Sequence, residues 1–250
     1  MSDRDLLVLA LTCKEFLALC VAANGGHMRW MTGATGSTSR LHWAIDAMGG
    51  KPTLKWCVAL ARKNNKSGIA WLRKWHDVAP TAEVLAAAAK AGHLETLKWL
   101  RAQDPPCPWS AQGCALAAGG GHLATLQWLR AQDPPCPWDE VACTLAATND
   151  HLETLQWLRA QDTPCPWNVQ TCADAAGQGH LATLQWLRAQ DPPCPWNVQT
   201  FTHAAVYGQL ATLQWLRAQD PPCPWDEEVC LSRVPVSWNR WSRLLPCTTW

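Results

Sequence analysis

The chain has 250 residues, 48% of them hydrophobic, which is ample apolar material for one or two ordinary cores or for one repeat array. Its formal net charge of +1 hides an uneven spread, with 14 Lys/Arg against 7 Asp/Glu in residues 1–101 and 4 against 13 in residues 102–229. With no basic stripe along the second part and no run of about 18 apolar residues, neither nucleic acid nor a membrane is expected as a partner.

The chain opens MSDRDLLVLALTCKEF, an apolar run preceded by an acid and lacking both a basic leader and a small-residue cleavage site. It is not a signal peptide pattern. The expected location is intracellular, in the cytoplasm, with the 13 cysteines reduced. Residues 1–39 are expected to form an N-terminal cap, residues 40–229 the repeat array, and residues 230–250 an irregular tail.

The array is announced by WLRAQDPPCPW at residues 99–109, repeated at 128–138, 186–196 and 215–225, and once more at 157–167 with Thr163 for Pro. The period is 29, and periods of 20–50 indicate a solenoid. Stepping back by 28 reaches Trp71 and Trp43, so some seven units are visible, the first and last incomplete.

Each unit reads as two short helices. In the second, as in HLATLQWLRAQ from His122, Leu123, Leu126, Trp128 and Leu129 make an apolar side. Pro134 and Pro135 end it, because proline has no N–H to give and clashes with the preceding turn. The first helix is Ala-rich, as in VACTLAAT from Val141, and its small residues permit close approach of the next unit. Thr53, Thr81, Ser110, Asp139, Asn168, Asn197 and Asp226 stand at its start. All are residues whose side-chain oxygen can accept an early helix N–H. One such helix pair cannot bury its apolar face alone, so stability must come from the interfaces between units.

The segment AAGGGHLATLQWLRAQ (residues 117–132) resembles the core of the ankyrin repeat, A-A-x-x-G-H-L-E-V-V-K-L-L-L. That family has a period of 33, a T-P-L-H opening and a β-hairpin between units. Here the opening is absent, and CPW stands where four residues are missing. The resemblance therefore implies an all-α, ankyrin-like solenoid of stacked helix pairs with shortened inter-repeat turns. DLLVLALTCKEFLAL (residues 5–19) resembles the back half of an F-box. That implies docking on a cullin-ligase adaptor; the alternative is a plain capping helix.

Turn cysteines (Cys107, Cys136, Cys165, Cys194, Cys223), helix cysteines (Cys114, Cys143, Cys172, Cys230) and the histidines His122, His151 and His180 together suggest a zinc site. The same slots in other units hold Val78, Leu85, Phe201 and Gln209, three of which cannot ligate. Cysteine is therefore read as a small buried hydrophobe, with no metal and no cofactor expected. No nucleophile has a recurring His and acid beside it, and no phosphate loop occurs, so no catalytic residue is assigned. The histidines are expected to bond backbone, a role Gln209 can share. Of 21 aromatics 18 are Trp, 12 of them on repeat positions. Packing is expected of them: the helix Trp fall where ankyrins bury a Leu, and the turn Trp cover the seam between units. Arg101, Arg130, Arg159, Arg188 and Arg217 each precede an Asp by three residues and are expected to form weak ion pairs on a solvated helix face.

Variation between units is concentrated on the first helix and the turn after it. Thr144, Asn149, Asp174, Gln178, His203 and Tyr207 are the candidate partner-binding face. In ankyrin stacks the first helices line the binding surface, and variation over a fixed frame is what a partner-reading groove shows. Neutral drift on an exposed face shows it too. The expected function is a non-enzymatic protein–protein interaction scaffold with a protein partner. The alternative is an F-box-type substrate receptor of a cullin ubiquitin ligase. The tail LSRVPVSWNRWSRLLPCTTW lacks every repeat landmark; it is either an irregular cap or non-native sequence.

Overall fold

A computed structural model describes residues 53–226. The N-terminal cap with its F-box-like segment, Trp43, Cys230 and the C-terminal tail lie outside the described residues. Among those described there are twelve α-helices and no strand. No helix among them is long and apolar enough to cross a membrane.

The chain divides between Pro80 and Thr81 into two units. In the first, α1 (Leu54–Arg62) and α2 (Lys66–His76) pack on each other, burying Trp56, Cys57, Leu60 and Ala61 from one and Ile69 and Leu72 from the other. Asn65 caps α2, its side chain accepting the Gly68 N–H at 2.8 Å.

The second unit is a run of five helix pairs: α3 (Ala82–Lys90) and α4 (Leu94–Arg101); α5 (Ala111–Gly119) and α6 (Leu123–Arg130); α7 (Glu140–Thr148) and α8 (Leu152–Arg159); α9 (Val169–Gln178) and α10 (Leu181–Arg188); α11 (Val198–Val206) and α12 (Leu210–Arg217). The first helices α3, α5, α7, α9 and α11 pack on one another in chain order, and each second helix packs on its own first helix. The reason is side-chain size. The first helices bury pairs such as Ala117–Ala118, Ala146–Ala147 and Ala175–Ala176, which let backbones come close. The second helices bury Leu at two positions per unit: 97 and 100, 126 and 129, 155 and 158, 184 and 187, 213 and 216. Full burial of each is worth roughly 1.5–3 kcal/mol. The apolar side of α6 differs from the expected one: Thr125 is buried with Leu126 and Leu129, whereas Leu123 and Trp128 are only half-buried.

Two turns complete each unit. Between the helices of a pair, a left-handed residue reverses the chain: Gly92, Gly121, Gly179 and Gly208 at φ of 68–78°, and Asp150 at 59°. Only glycine takes this conformation at no steric cost, so Asp150 is the exception that needs a reason. Between units the turn folds back on the helix it leaves. The Cys136 N–H donates to the Leu129 carbonyl at 3.0 Å, and Gln132 Nε2 to the Trp128 carbonyl at 3.0 Å. These donors satisfy carbonyls that a helix end otherwise leaves open. The same bonds recur after α4, α8, α10 and α12.

The N-cap positions stand where the sequence places them, at Thr53, Thr81, Ser110, Asp139, Asn168 and Asn197. Only three of the side chains do the expected work. Asp139, Asn168 and Asn197 accept the N–H two residues on, and Thr171 and Thr200 close capping boxes on the two Asn caps. Thr53, Thr81 and Ser110 share the extended backbone but make no side-chain cap bond. There the cap backbone alone defines the boundary.

Candidate interaction surface

Two kinds of surface run along the helix pairs of residues 81–226. One is the same in every unit, and the other changes.

The constant one is built from Arg, Trp and Cys. Arg159 sits at the end of α8. Its Nη1 donates to the Cys165 carbonyl at 2.6 Å, and its guanidinium lies 3.8 Å from the Trp167 ring centroid. Trp167 then meets Trp186 of the next unit edge-on at 6.3 Å. Arg188 repeats the pattern with Cys194 and Trp196, and Trp196 meets Trp215 at 6.1 Å. Arg101 and Arg130 do the same over Trp109 and Trp138, and Arg217 lies over Trp225. This corrects the expectation of solvated arginines in weak ion pairs with Asp. A planar guanidinium stacks on an aromatic face and still has N–H groups free to hold a carbonyl. The turn tryptophans cover the seam between units, as expected. The helix tryptophans Trp99, Trp128, Trp157, Trp186 and Trp215 are half-buried, not buried like a core Leu. Their rings are wide enough to serve a neighbour's turn and still meet solvent.

The cysteines sit beneath this ladder and are buried. Helix thiols Cys114, Cys143 and Cys172 donate to the carbonyls of Cys136, Cys165 and Cys194 at 3.7–3.8 Å. Turn thiols reach the N-cap carbonyl of the preceding unit, as Cys165 Sγ does to Asp139 at 3.2 Å. The small-hydrophobe reading therefore omits a weak donor that stitches units together. The neighbouring thiol, together with burial, pushes Cys114, Cys143 and Cys194 well above the ordinary thiol range. Burial alone pushes Cys223 up to about 12. Among the described residues no group of three His, Cys, Asp or Glu side chains is arranged to hold a metal ion.

The histidines also work between units. His122 Nε2 lies 3.1 Å from the Lys90 carbonyl, and His180 Nε2 3.0 Å from that of Thr148. Gln209 Nε2 donates to Gly177 at 3.2 Å. Backbone bonding was expected, and Gln209 takes part in it. Its reach, across 32 residues, closes an open helix end in the preceding unit.

The changing surface is a stripe on the first helices at positions i, i+4, i+7 and i+8. On α5 it is Gln112, Leu116, Gly119 and Gly120; on α7, Val141, Leu145, Thr148 and Asn149; on α9, Gln170, Asp174, Gly177 and Gln178; on α11, Gln199, His203, Val206 and Tyr207. All six candidate residues fall on or beside it. Asn149, Gln178 and Tyr207 are exposed, Tyr207 at 63%. Thr144, Asp174 and His203 are half-buried. The structure joins four of the stripe's polar residues. Asp174 accepts Gln170 Nε2 at 2.5 Å and Thr148 Oγ1 at 3.4 Å, and His203 Nδ1 lies 3.6 Å away. Thr144 stands apart, bonded to Glu140 and Thr171. Asn149 turns back to the Leu145 carbonyl. Gln170 and Thr148 were missed by the sequence reading. Their signal was available, since both lie one helical turn from a candidate on the same face. Gly177 makes room for this corner, because a Cβ there meets His203 Cβ and Tyr207 Cδ2 at 3.2 Å.

No family model matches the chain, and no curated protein does. The chain is similar to solved structures of a pentatricopeptide repeat protein. Two are the protein PPR10 and a triple cysteine-to-serine variant of it, each in complex with an 18-nucleotide psaJ RNA element. In both, identity is 12%, the TM-score is 0.35, and the match covers 98% of this chain and 54% of the other. The chain thus spans about half the length of those proteins. At that level the likeness goes no further than a helical repeat, and no binding residue is carried over. It does overturn one expectation, the exclusion of nucleic acid from the partner classes: both of those repeat proteins hold RNA. The exclusion drew on charge balance alone, and an open row of helix pairs is not by its shape reserved for protein.

Proposed function

We propose that this chain is a non-enzymatic binding scaffold whose partner is a protein, read by the first-helix stripe. One observation carries the reading: the Arg and Trp that hold the units together recur in each unit, whereas the stripe changes from unit to unit and turns Val141, Asn149, Gln178 and Tyr207 out to solvent. Arg159, Trp167 and Cys165 are occupied with one another, so their sameness is explained by packing. Val141 and Tyr207 are 44% and 63% exposed and have no such duty. The short ankyrin-like pattern supports a protein partner, and the F-box-like residues 5–19 support a ligase-receptor variant of the same scaffold. The test uses photo-crosslinkers placed singly at Leu145 and Tyr207, and at Pro134 and Pro164 on the turn tips, in the full chain expressed in cells. The expected result is protein adducts at the stripe and few at the tips. RNA adducts at the stripe, or protein adducts confined to the tips, would refute it. Deleting residues 5–19 then decides the ligase variant, since loss of a cullin adaptor from the captured set supports it.

A further inference from the structure

The stripe is not uniform along the array. On α5 and α7 it presents Leu116, Val141 and Leu145, with Leu145 packed close over Gly119 (a Cβ at Gly119 would meet Leu145 Cβ at 3.0 Å). On α9 it changes to the carboxylate of Asp174. Among the described residues the side chains that meet that carboxylate are Thr148, Gln170 and His203, none of them Lys or Arg. Glu83 and Glu140 add exposed negative charge at the first-helix starts, against Lys90. The five arginines of the second helices cannot answer it. Each is stacked on a tryptophan, and four are also bonded to a cysteine carbonyl.

From this charge pattern we infer that the stripe docks a basic amphipathic helix, two apolar side chains resting on Leu116 and Leu145 and a Lys or Arg meeting Asp174. The inference rests on the scaffold reading and specifies its partner. The spacing supports a helix. Packed helices lie roughly 8–10 Å apart, so Leu116, Leu145 and Asp174 recur at about that interval. A helix rises 1.5 Å per residue, so side chains seven apart span about 10 Å. A partner helix laid across the stripe therefore meets one unit every seventh residue, in the order apolar, apolar, basic. Asp174 is held ready for it by Gln170 and Thr148, which keep the carboxylate in place without neutralising it.

Three synthetic helical peptides test this by fluorescence anisotropy against the full chain. One carries Leu, Leu and Lys at seven-residue spacing, one replaces Lys by Glu, and one has the basic composition scrambled. The basic peptide should bind best, and high salt should weaken it. Asp174→Asn should weaken it about tenfold, the loss of one charged hydrogen bond of about 1.4 kcal/mol. Asp174→Lys should turn the preference to the Glu peptide, an outcome that a merely structural role for Asp174 does not give. Melting curves check that each variant folds. If Asp174→Lys does not, loss of the Lys-over-Glu preference in Asp174→Asn decides instead. Equal binding of the Glu or scrambled peptide overturns the inference, as does an unchanged preference in the variants. Failure here together with protein adducts at Leu145 and Tyr207 leaves the scaffold standing with another kind of partner. Adducts only at the turn tips bring down both.

Discussion

Arg159 is the place to ask whether the repeated phrase is structural. Replacing it by Met keeps the aliphatic stem and removes the guanidinium. Two interactions go: the 2.6 Å bond to the Cys165 carbonyl and the stack on Trp167 at 3.8 Å. A hydrogen bond from a charged donor is worth about 1.5–3 kcal/mol. A half-exposed cation–π contact adds about 0.5–1 kcal/mol. The carbonyl is not wholly orphaned, because the Cys143 thiol still reaches it at 3.7 Å, and that trims the total. The expected loss is about 2 kcal/mol, measured by urea unfolding with an unchanged slope. Arg159→Lys should lose nearly as much, since an ammonium cannot stack flat and donate sideways at once. Trp167→Leu completes a double-mutant cycle, with coupling of about 0.5–1 kcal/mol. A loss below about 0.5 kcal/mol for Arg159→Met, with no coupling to Trp167, would return the arginines to the status of solvated surface charges.

Three further outcomes follow from the same geometry. Cys136→Val with Cys143→Leu should keep the fold, because the Ser110 and Cys165 carbonyls that lose thiol donors retain the Gly113 N–H and Arg159 Nη1. Overpacking by Leu costs roughly 1–3 kcal/mol, and a chelator should change neither melting curve. Asp150→Ala should cost about 2–3 kcal/mol. It keeps the left-handed strain at φ 59° and removes the 2.6 Å bond from Thr183 Oγ1, whereas Asp150→Gly loses the bond but relieves the strain and should stay within about 1 kcal/mol. Alkaline stability should fall. The folded thiol of Cys223 holds its proton to about 12, against 9.0 when unperturbed, so its contribution is complete below pH 9 and is lost as pH climbs from 9 toward 12. Melting temperatures from pH 8 to 11 check this; a flat profile in wild type, or the same slope in Cys223→Val, contradicts it.

The stacked helix pairs and their boundaries were legible in the sequence, because they depend on local chemistry repeated in register. Proline forbids continuation, N-cap residues favour an extended start, and Leu at fixed intervals needs a neighbour to cover it. These act within a few residues, and the 29-residue period sums them over several copies. What each polar side chain bonds to was decided only by the tertiary structure. Arg159 has Asp162 three residues on, yet its guanidinium goes to Trp167 and Cys165 because the turn folds back over the helix end. His122 and His180 find their carbonyls 32 residues away, a distance that only stacking closes. Asp174 meets Gln170 one turn away on its own helix, a pairing the helical period offers, but it meets Thr148 and His203 from the units on either side, which only stacking brings together. A periodic sequence places the helices and the Leu pairs that face inward, though not Thr125, which is buried where Leu123 and Trp128 were expected; the partner of a long polar side chain depends on which of several nearby units presents an open group, and that is settled by packing.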